Sequence, residues 1–187
     1  GGDPAPLVGL GRFEHEAVSI DPAGTVYLTE DAGEPFGQIY RFRPDRSGGR
    51  GGGLRDGGAL ETLRIPDLAG TDLSVVSEAG TVFTHLEWVP VATPDAPDGE
   101  TLRELYPGTP IPKAEGTWAR GGSIWFVSSH AFGPDAEDEE DRSAAVHGGQ
   151  IWRYHPRRDR LELVVRFEPA DDFEGPDNIT VSPHGFA

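Results

Sequence analysis

Three acidic residues that lie far apart in the chain occupy matching places in an internal repeat: Glu16, Glu115 and Asp177. Each precedes a short predicted strand. If the fold brings them together, three carboxylates repel one another strongly unless a cation or shared protons neutralise their charge. Oxygen donors of this kind favour hard cations such as Ca²⁺. The alternative is that each acid caps a turn or faces water, and the matching positions favour the metal site.

The turns that follow these acids define the repeat. Residues 21–24 read DPAG and residues 182–185 read SPHG, and aligning the two turns places Glu16 on Asp177. Aligning the first turn with the glycine turn after Glu115 brings Glu16 to within one residue of that acid. Proline sets one backbone angle of such a turn and glycine supplies a positive one, which predicts tight hairpins.

A second motif recurs and indicates the architecture. The sequence GQIYRF at 37–42 returns as GQIWRY at 149–154, and a proline stands two positions after each copy. Repeated units of three or four strands without helices are typical of a β-propeller. The first strand of each blade would line the central channel, so residues just before these strands would meet at one mouth. We therefore predict an all-β fold, a β-propeller of four-stranded blades, in which the three carboxylates converge.

Short apolar runs between turns give the expected elements. Strands are predicted near 17–20, 25–29, 38–42, 86–90, 149–154 and 161–167, with one more after Asp177. A single helical turn is predicted at 101–105, inside a polar, proline-rich connection.

Two insertions interrupt this pattern. Residues 45–59 are rich in glycine, and residues 130–148 contain the acidic run DAEDEED. Glycine repeats cannot bury apolar area, and the acidic run lacks the ligand spacing of a calcium-binding loop. We predict that 45–59 and 133–146 are mobile loops without regular structure.

The chain of 187 residues is expected to form part of one propeller domain, 1–187. A propeller blade takes about 40–50 residues, which leaves room for three or four blades. We therefore expect a fragment of a larger ring.

Composition narrows the choice of partners. The formal net charge is −16, with 32 acidic residues against 16 Lys and Arg, which argues against a nucleic-acid partner. The segment contains no signal peptide and no apolar run long enough to span a membrane. We expect a monomer that contacts neither nucleic acid nor membrane.

The motifs, taken in order, resemble the PhoX-type alkaline phosphatases, a family of secreted bacterial β-propeller enzymes. Each motif alone is weak, but the ordered set is fairly specific, and it covers nearly the whole chain outside the insertions. The motifs are GRFEHEAV at 11–18, YLTED at 27–31, GQIYRF at 37–42, KAEG at 113–116, GQIWRY at 149–154 and PDNI at 176–179.

This resemblance implies a cluster of Fe³⁺ and Ca²⁺ at the propeller mouth that hydrolyses small phosphate monoesters. By position, Glu16, Glu115 and Asp177 would be metal ligands. Lys113 stands where the family places a basic residue near the substrate phosphate, and Asn178 would complete the surroundings of the cluster. These two residues are the candidate catalytic residues. The resemblance also implies export to the periplasm or the extracellular space.

The family also uses a cysteine ligand to iron and further acidic ligands. The sequence contains no cysteine. We expect the missing ligands upstream of Gly1 in a longer chain, or else a non-catalytic relative.

Three neighbouring polar residues have open roles. His15 is a candidate metal ligand or a donor that orients Glu16 by a hydrogen bond, and the second role is favoured. Glu30 and Asp31, at the end of the second predicted strand, could equally bind calcium or cap a turn.

Two other functions compete with the phosphatase. Calcium-dependent lactonases of the gluconolactonase type are propellers that also place Glu-Gly, Asn and Asp at the channel mouth. A non-catalytic propeller could instead bind a partner through its face. The motif at 12–18 and the repeated GQI(Y/W)R motif favour the phosphatase over the lactonase.

Overall fold

The computed structural model describes residues 5–45, 53–169 and 173–182. These residues form mostly antiparallel β-sheet with little helix. The strands are β1 (His15–Ile20), β2 (Val26–Glu30), β3 (Ile39–Pro44), β4 (Gly58–Arg64), β5 (Val82–Phe83), β6 (Glu87–Pro90), β7 (Ala114–Arg120), β8 (Ser123–Ser128), β9 (Ala131–Phe132), β10 (Val146–His147), β11 (Gly149–His155) and β12 (Arg160–Phe167). The helix α1 is Leu102–Leu105, and 3-10 turns lie at Val8–Leu10, Pro66–Leu68, Leu73–Val75 and Glu139–Asp141.

Two five-stranded sheets organise these strands. The first has the order β1-β2-β3-β4-β6, and the second has the order β5-β12-β11-β8-β7. Each contains a four-stranded antiparallel meander, which is the predicted repeating unit. Each then gains one outer strand from the connection between the two meanders, β6 in the first sheet and β5 in the second. The all-β prediction is confirmed; closure of a propeller ring stays a prediction.

The main core lies between the two sheets. Strands β2 and β8 are buried along their whole length, and their apolar residues lie together, at 26–28 in β2 and at 124–127 in β8. Trp152 of β11 is fully buried, and its ring stacks on Phe126 of β8 with centroids 6.3 Å apart. A second apolar cluster covers the other face of the first sheet, where Tyr40 and Phe42 pack with Leu102 of α1. Burial of apolar surface is the main favourable term in folding, so these two clusters hold the sheets together.

The edge strands β1 and β7 carry the same irregularity at the same place. The pairing of β1 with β2 shifts register between His15 and Val18, and the pairing of β7 with β8 shifts between Ala114 and Thr117. Each shift is a β-bulge, which re-aims side chains at the edge of a sheet. The two strands also meet directly, since the Ser19 and Thr117 hydroxyls lie 3.0 Å apart. The sequence repeat is therefore matched by a structural repeat.

Two loop predictions need correction. Strand β4 begins at Gly58, so the segment 45–59 is not irregular to its end, although 53–57 forms a turn and bend. Residues 46–52 lie outside the described part of the chain. The segment 133–146 contains the 3-10 turn Glu139–Asp141, and its last residue belongs to β10, which pairs with β9. Backbone hydrogen bonds to neighbouring loops order this acidic segment.

The predicted strand after Asp177 is also absent. Residues 173–182 form neither strand nor helix, and most of the predicted turn at 182–185 lies outside the described residues. Within the described chain, no helix has the length and apolar character needed to cross a membrane.

Candidate metal centre

The three repeat acids converge. Glu16, Glu115 and Asp177 each offer a carboxylate oxygen, and these oxygens all lie within 4.8 Å of one another. Glu16 stands at the bulge of β1 and Glu115 at the bulge of β7, while Asp177 belongs to the 173–182 segment. The predicted convergence is confirmed. Their role as metal ligands stays a prediction that this geometry supports.

Thr29 of β2 holds the two bulges together. Its hydroxyl oxygen accepts a hydrogen bond of 3.1 Å from the backbone N–H of Ala17, beside Glu16. The same hydroxyl donates a hydrogen bond of 2.7 Å to the backbone carbonyl of Glu115. Thr29 is 1% exposed, the bond to Glu115 is buried, and the bond from Ala17 is partly buried. A single side chain therefore fixes the backbone beneath two of the three carboxylates.

The third carboxylate is fixed by a close backbone approach at Gly116. The Gly116 N–H donates to the Asp177 carbonyl at 2.8 Å. A Cβ at position 116 would lie 2.8 Å from the Asn178 Cα, so this approach requires glycine. The Asn178 side-chain amide donates to the Asp177 carboxylate at 3.1 Å. Asn178, a predicted site residue, thus orients the Asp177 carboxylate.

Glu115 is buried beside other carboxylates, which disfavours its charged form. It is 9% exposed, and burial raises the pKa of its carboxyl to about 7, with further contributions from the charges of Asp31, Glu16 and Asp177. The Ser129 hydroxyl donates a long hydrogen bond, 3.4 Å, to its Oε1. A group with this pKa is partly protonated at neutral pH, and a cation placed among these carboxylates would favour the ionised form.

A fourth acid, Asp31, lies near enough to the cluster for its charge to raise the pKa of Glu115. Its Oδ1 is buried and has no hydrogen-bond partner among the described residues. Burial raises the pKa of Asp31, the charge of Lys113 lowers it, and the charges of Glu14, Asp141 and Asp177 raise it. A buried carboxylate oxygen without a donor is costly unless something else neutralises it. Of the two roles left open for Asp31, this environment favours a cation over a turn cap.

Its neighbour Glu30 has a different function. Glu30 is fully buried, accepts a 3.0 Å hydrogen bond from the Tyr40 hydroxyl, and pairs with Arg103 of α1 at 2.9 Å. Burial raises the pKa of Glu30 and the Arg103 bond opposes that rise. Arg103 also lies 3.8 Å from Glu14. Glu30 therefore forms a structural ion pair with Arg103. Neither calcium binding nor turn capping, the two roles proposed from the sequence, applies to it.

Lys113 is held in an unusual backbone conformation. Its φ is 47°, a left-handed value that is uncommon outside glycine. The Ser129 N–H donates to the Lys113 carbonyl at 2.9 Å, and the Ser128 hydroxyl bonds to the Pro112 carbonyl just before it. Strain of this kind costs about 1–3 kcal/mol and occurs often at functional sites. The Lys113 charge acts on Asp31, which places the lysine beside the cluster.

His15 does not orient Glu16 in the described structure, so that prediction is wrong. Its Nε2 lies 3.0 Å from the Gly11 carbonyl, and its ring stacks on Phe13 with centroids 3.8 Å apart. The local stacking and the nearby carbonyl give the ring partners within its own turn.

The residues present fit a hard cation. Oxygens of three carboxylates lie within 4.8 Å of one another, and the charge of a fourth carboxyl, that of Asp31, acts on Glu115. The buried Oδ1 of Asp31 has no hydrogen-bond partner among the described residues, and the available donor atoms are oxygens. Ca²⁺ and Fe³⁺ both accept carboxylate oxygen, whereas the sequence offers no thiolate.

Sequence comparison shows the family of the chain. The family model for alkaline phosphatase PhoX matches residues 2–186. A search of curated proteins and a search of solved structures found no match. Since the family model spans nearly all of the chain, the chain belongs to the PhoX alkaline phosphatase family.

Proposed function

We propose that the protein is a metal-dependent phosphatase that hydrolyses small phosphate monoesters at the cluster formed by Glu16, Glu115 and Asp177. Family membership implies alkaline phosphatase activity. The observation that carries the proposal is that three carboxylates from distant parts of the chain meet, with oxygens within 4.8 Å of one another. Two of them stand at the equivalent bulges of β1 and β7.

The carboxylates and Lys113 would have separate tasks. Glu16, Glu115 and Asp177, with Asp31 beside them, would hold Ca²⁺ and Fe³⁺, and such cations when bound neutralise the negative charge of a transferring phosphoryl group. Lys113 would donate a hydrogen bond to a phosphate oxygen as a point charge, with looser geometry than an arginine. Asn178 would keep the Asp177 carboxylate oriented.

Two further aspects of the proposal concern the setting. Members of this family are typically exported, and we propose the same for this protein, with a small soluble ester as its substrate. A monomer without nucleic-acid or membrane contacts is the expected form, in keeping with the net charge of −16.

The test is hydrolysis of p-nitrophenyl phosphate by the full-length protein, with and without added Ca²⁺ and iron. Glu115→Gln keeps the size of the side chain but removes the charge, so activity should be lost while the fold remains. Lys113→Ala should mainly raise KM. Glu87→Gln, an acid paired with Arg64 in an exposed ion pair, is the control and should leave activity unchanged.

Full activity of the Glu115→Gln protein would overturn the site assignment. Hydrolysis of lactones with no action on phosphate esters would replace the phosphatase by a lactonase. Metal binding without turnover of either substrate would indicate a non-catalytic relative.

A further inference from the structure

The acidic insertion 133–146 is fastened to the body of the protein. The Ala144 N–H donates to the Asp72 carboxylate at 2.7 Å, and the Ala145 N–H donates to the Ser74 hydroxyl at 2.8 Å. Both acceptors are buried residues at the 3-10 turn Leu73–Val75. The end of the insertion is therefore held by interior polar groups.

A second contact fixes the middle of the insertion near the candidate site. The Glu34 N–H donates to the Glu140 carbonyl at 2.8 Å, and a Cβ at Gly33 would lie 3.0 Å from the Glu140 Cβ. Residues 33 and 34 lie two and three positions after the site residue Asp31. The backbone of the insertion consequently lies against the same loop that carries a carboxylate of the cluster.

These anchors bring Asp141 to Lys113. The Asp141 Oδ1 lies 3.8 Å from the Lys113 Nζ, and the two side chains are 25% and 34% exposed. The Lys113 backbone is pinned on both sides by serine hydrogen bonds, so its side chain projects from a fixed point. The lysine therefore has Asp141 at ion-pair distance, and its charge also acts on Asp31, whose pKa it lowers.

We propose that Asp141 competes with phosphate-bearing ligands for Lys113; this inference rests on the proposed function. An ammonium group has three donors and a single charge, so a carboxylate at ion-pair distance lowers its affinity for a second anion. A phosphate group would have to displace Asp141 from Lys113. Asp141 thereby weakens the binding of inorganic phosphate, the reaction product, and limits product inhibition.

The test measures binding of inorganic phosphate by isothermal titration calorimetry, in the full-length protein supplied with Ca²⁺ and iron. Asp141→Asn keeps the size of the side chain and removes its charge. Because an exposed ion pair is worth up to about 1 kcal/mol, phosphate should bind up to about fivefold more tightly. Asp138→Asn, an exposed residue that precedes the same 3-10 turn, is the matched control and should leave the affinity unchanged.

A double-mutant cycle separates this role from a structural one. In a Lys113→Ala background, Asp141→Asn should have no effect on phosphate affinity, because the competition is gone. Asp141→Glu keeps the carboxylate and should keep the weaker phosphate affinity of the unaltered protein. An equal gain with and without Lys113, or no gain in the single variant, would overturn the inference.

The readout also distinguishes this inference from the proposed function. Phosphate that binds more tightly to the Asp141→Asn protein supports the Asp141–Lys113 relationship even if no ester is hydrolysed. A protein that hydrolyses esters but shows the same phosphate affinity in both forms retains the proposed function and loses the inference. Absence of phosphate binding in every form would also overturn it.

Discussion

The Thr29 hydroxyl donates a 2.7 Å hydrogen bond to the backbone carbonyl of Glu115. Thr29 belongs to the first sheet and Glu115 to the second, so one buried side chain couples the two sheets at the candidate metal centre. The coupling matters because Glu16 and Glu115 come from different sheets. They share a site only while the edge strands β1 and β7 stay packed against each other.

Thr29→Val should destabilise the protein and disturb the site together. Valine has nearly the same shape but leaves the Ala17 N–H and the Glu115 carbonyl without their partner, and an unsatisfied buried group costs about 1–3 kcal/mol. The free energy of unfolding from urea titration and the affinity for Ca²⁺ should both fall. Thr93→Val is the control, because Thr93 is exposed and its backbone N–H, which donates to the Tyr106 hydroxyl, is unchanged by the substitution. A stable variant with weakened Ca²⁺ binding would contradict the structural half of this prediction.

Arg103 should contribute more to the stability of the fold than an exposed arginine does. Its removal leaves the fully buried Glu30 without a cation, and a broken buried pair costs about 3–5 kcal/mol. Thermal unfolding of Arg103→Ala should show a large drop in Tm. Arg64→Ala removes an exposed pair with Glu87 and should cost less than about 1 kcal/mol. Since burial raises the pKa of Glu30, Glu30→Gln should recover part of the stability lost in Arg103→Ala.

His147 should make the protein sensitive to mild acid. Burial lowers the pKa of His147 from 6.5 to about 4, helped by the charges of Arg166 and His130. Between these two values the unfolded state binds more protons than the folded state. The stability contributed by the neutral ring is therefore complete above pH 6.5 and is lost as the pH falls towards 4.

His147→Leu should reduce this acid loss. Both ring nitrogens lack hydrogen-bond partners among the described residues, so leucine loses no hydrogen bond at pH 7. The difference in unfolding free energy between pH 7 and pH 5 should shrink by about 1–2 kcal/mol. His85→Leu is the control, since that ring is 65% exposed. An unchanged acid loss in His147→Leu would show that other groups titrate in this range.

Cation binding should release a proton from the site at mildly acidic pH. Burial and the neighbouring carboxylates raise the pKa of Glu115 to about 7, so below that pH the carboxyl carries a proton that a bound cation displaces. Calorimetry of Ca²⁺ binding in two buffers of different ionisation enthalpy should show about one proton released at pH 6 and almost none at pH 8.5. Glu115→Gln should abolish the release. Equal release at both pH values would contradict the assignment.

The repeat in the sequence was sufficient to predict β1, β2 and β3 and the convergence of the three carboxylates. Strands β1, β2 and β3 lie within one or two residues of their predicted positions, because turns with proline and glycine bound short apolar runs. Glu16 and Glu115 occupy equivalent bulges, each one residue after the start of its strand. The predicted strand after Asp177 is absent because that segment bonds to Gly116 instead of pairing in a sheet.

The supporting residues could not be found in the same way. Arg103 reaches Glu30 from a helical turn in a polar connection, and no spacing in the sequence relates them. Thr29 acts through its hydroxyl on the backbone of another sheet, so its partner depends on how the two sheets pack. Asp141 belongs to an acidic run that has the composition of a solvated loop, and only the anchors at Asp72 and Glu34 place it beside Lys113.

The most direct measurement is the affinity for Ca²⁺ of the full-length protein and of three single variants, Glu16→Gln, Glu115→Gln and Asp177→Asn, with Glu87→Gln as control. If the three carboxylates share one cation site, each variant should bind Ca²⁺ about tenfold more weakly or worse, because each removes one charged oxygen ligand. The control should bind as the unaltered protein does. Unchanged Ca²⁺ affinity in all three variants would show that these carboxylates, although within 4.8 Å of one another, hold no metal.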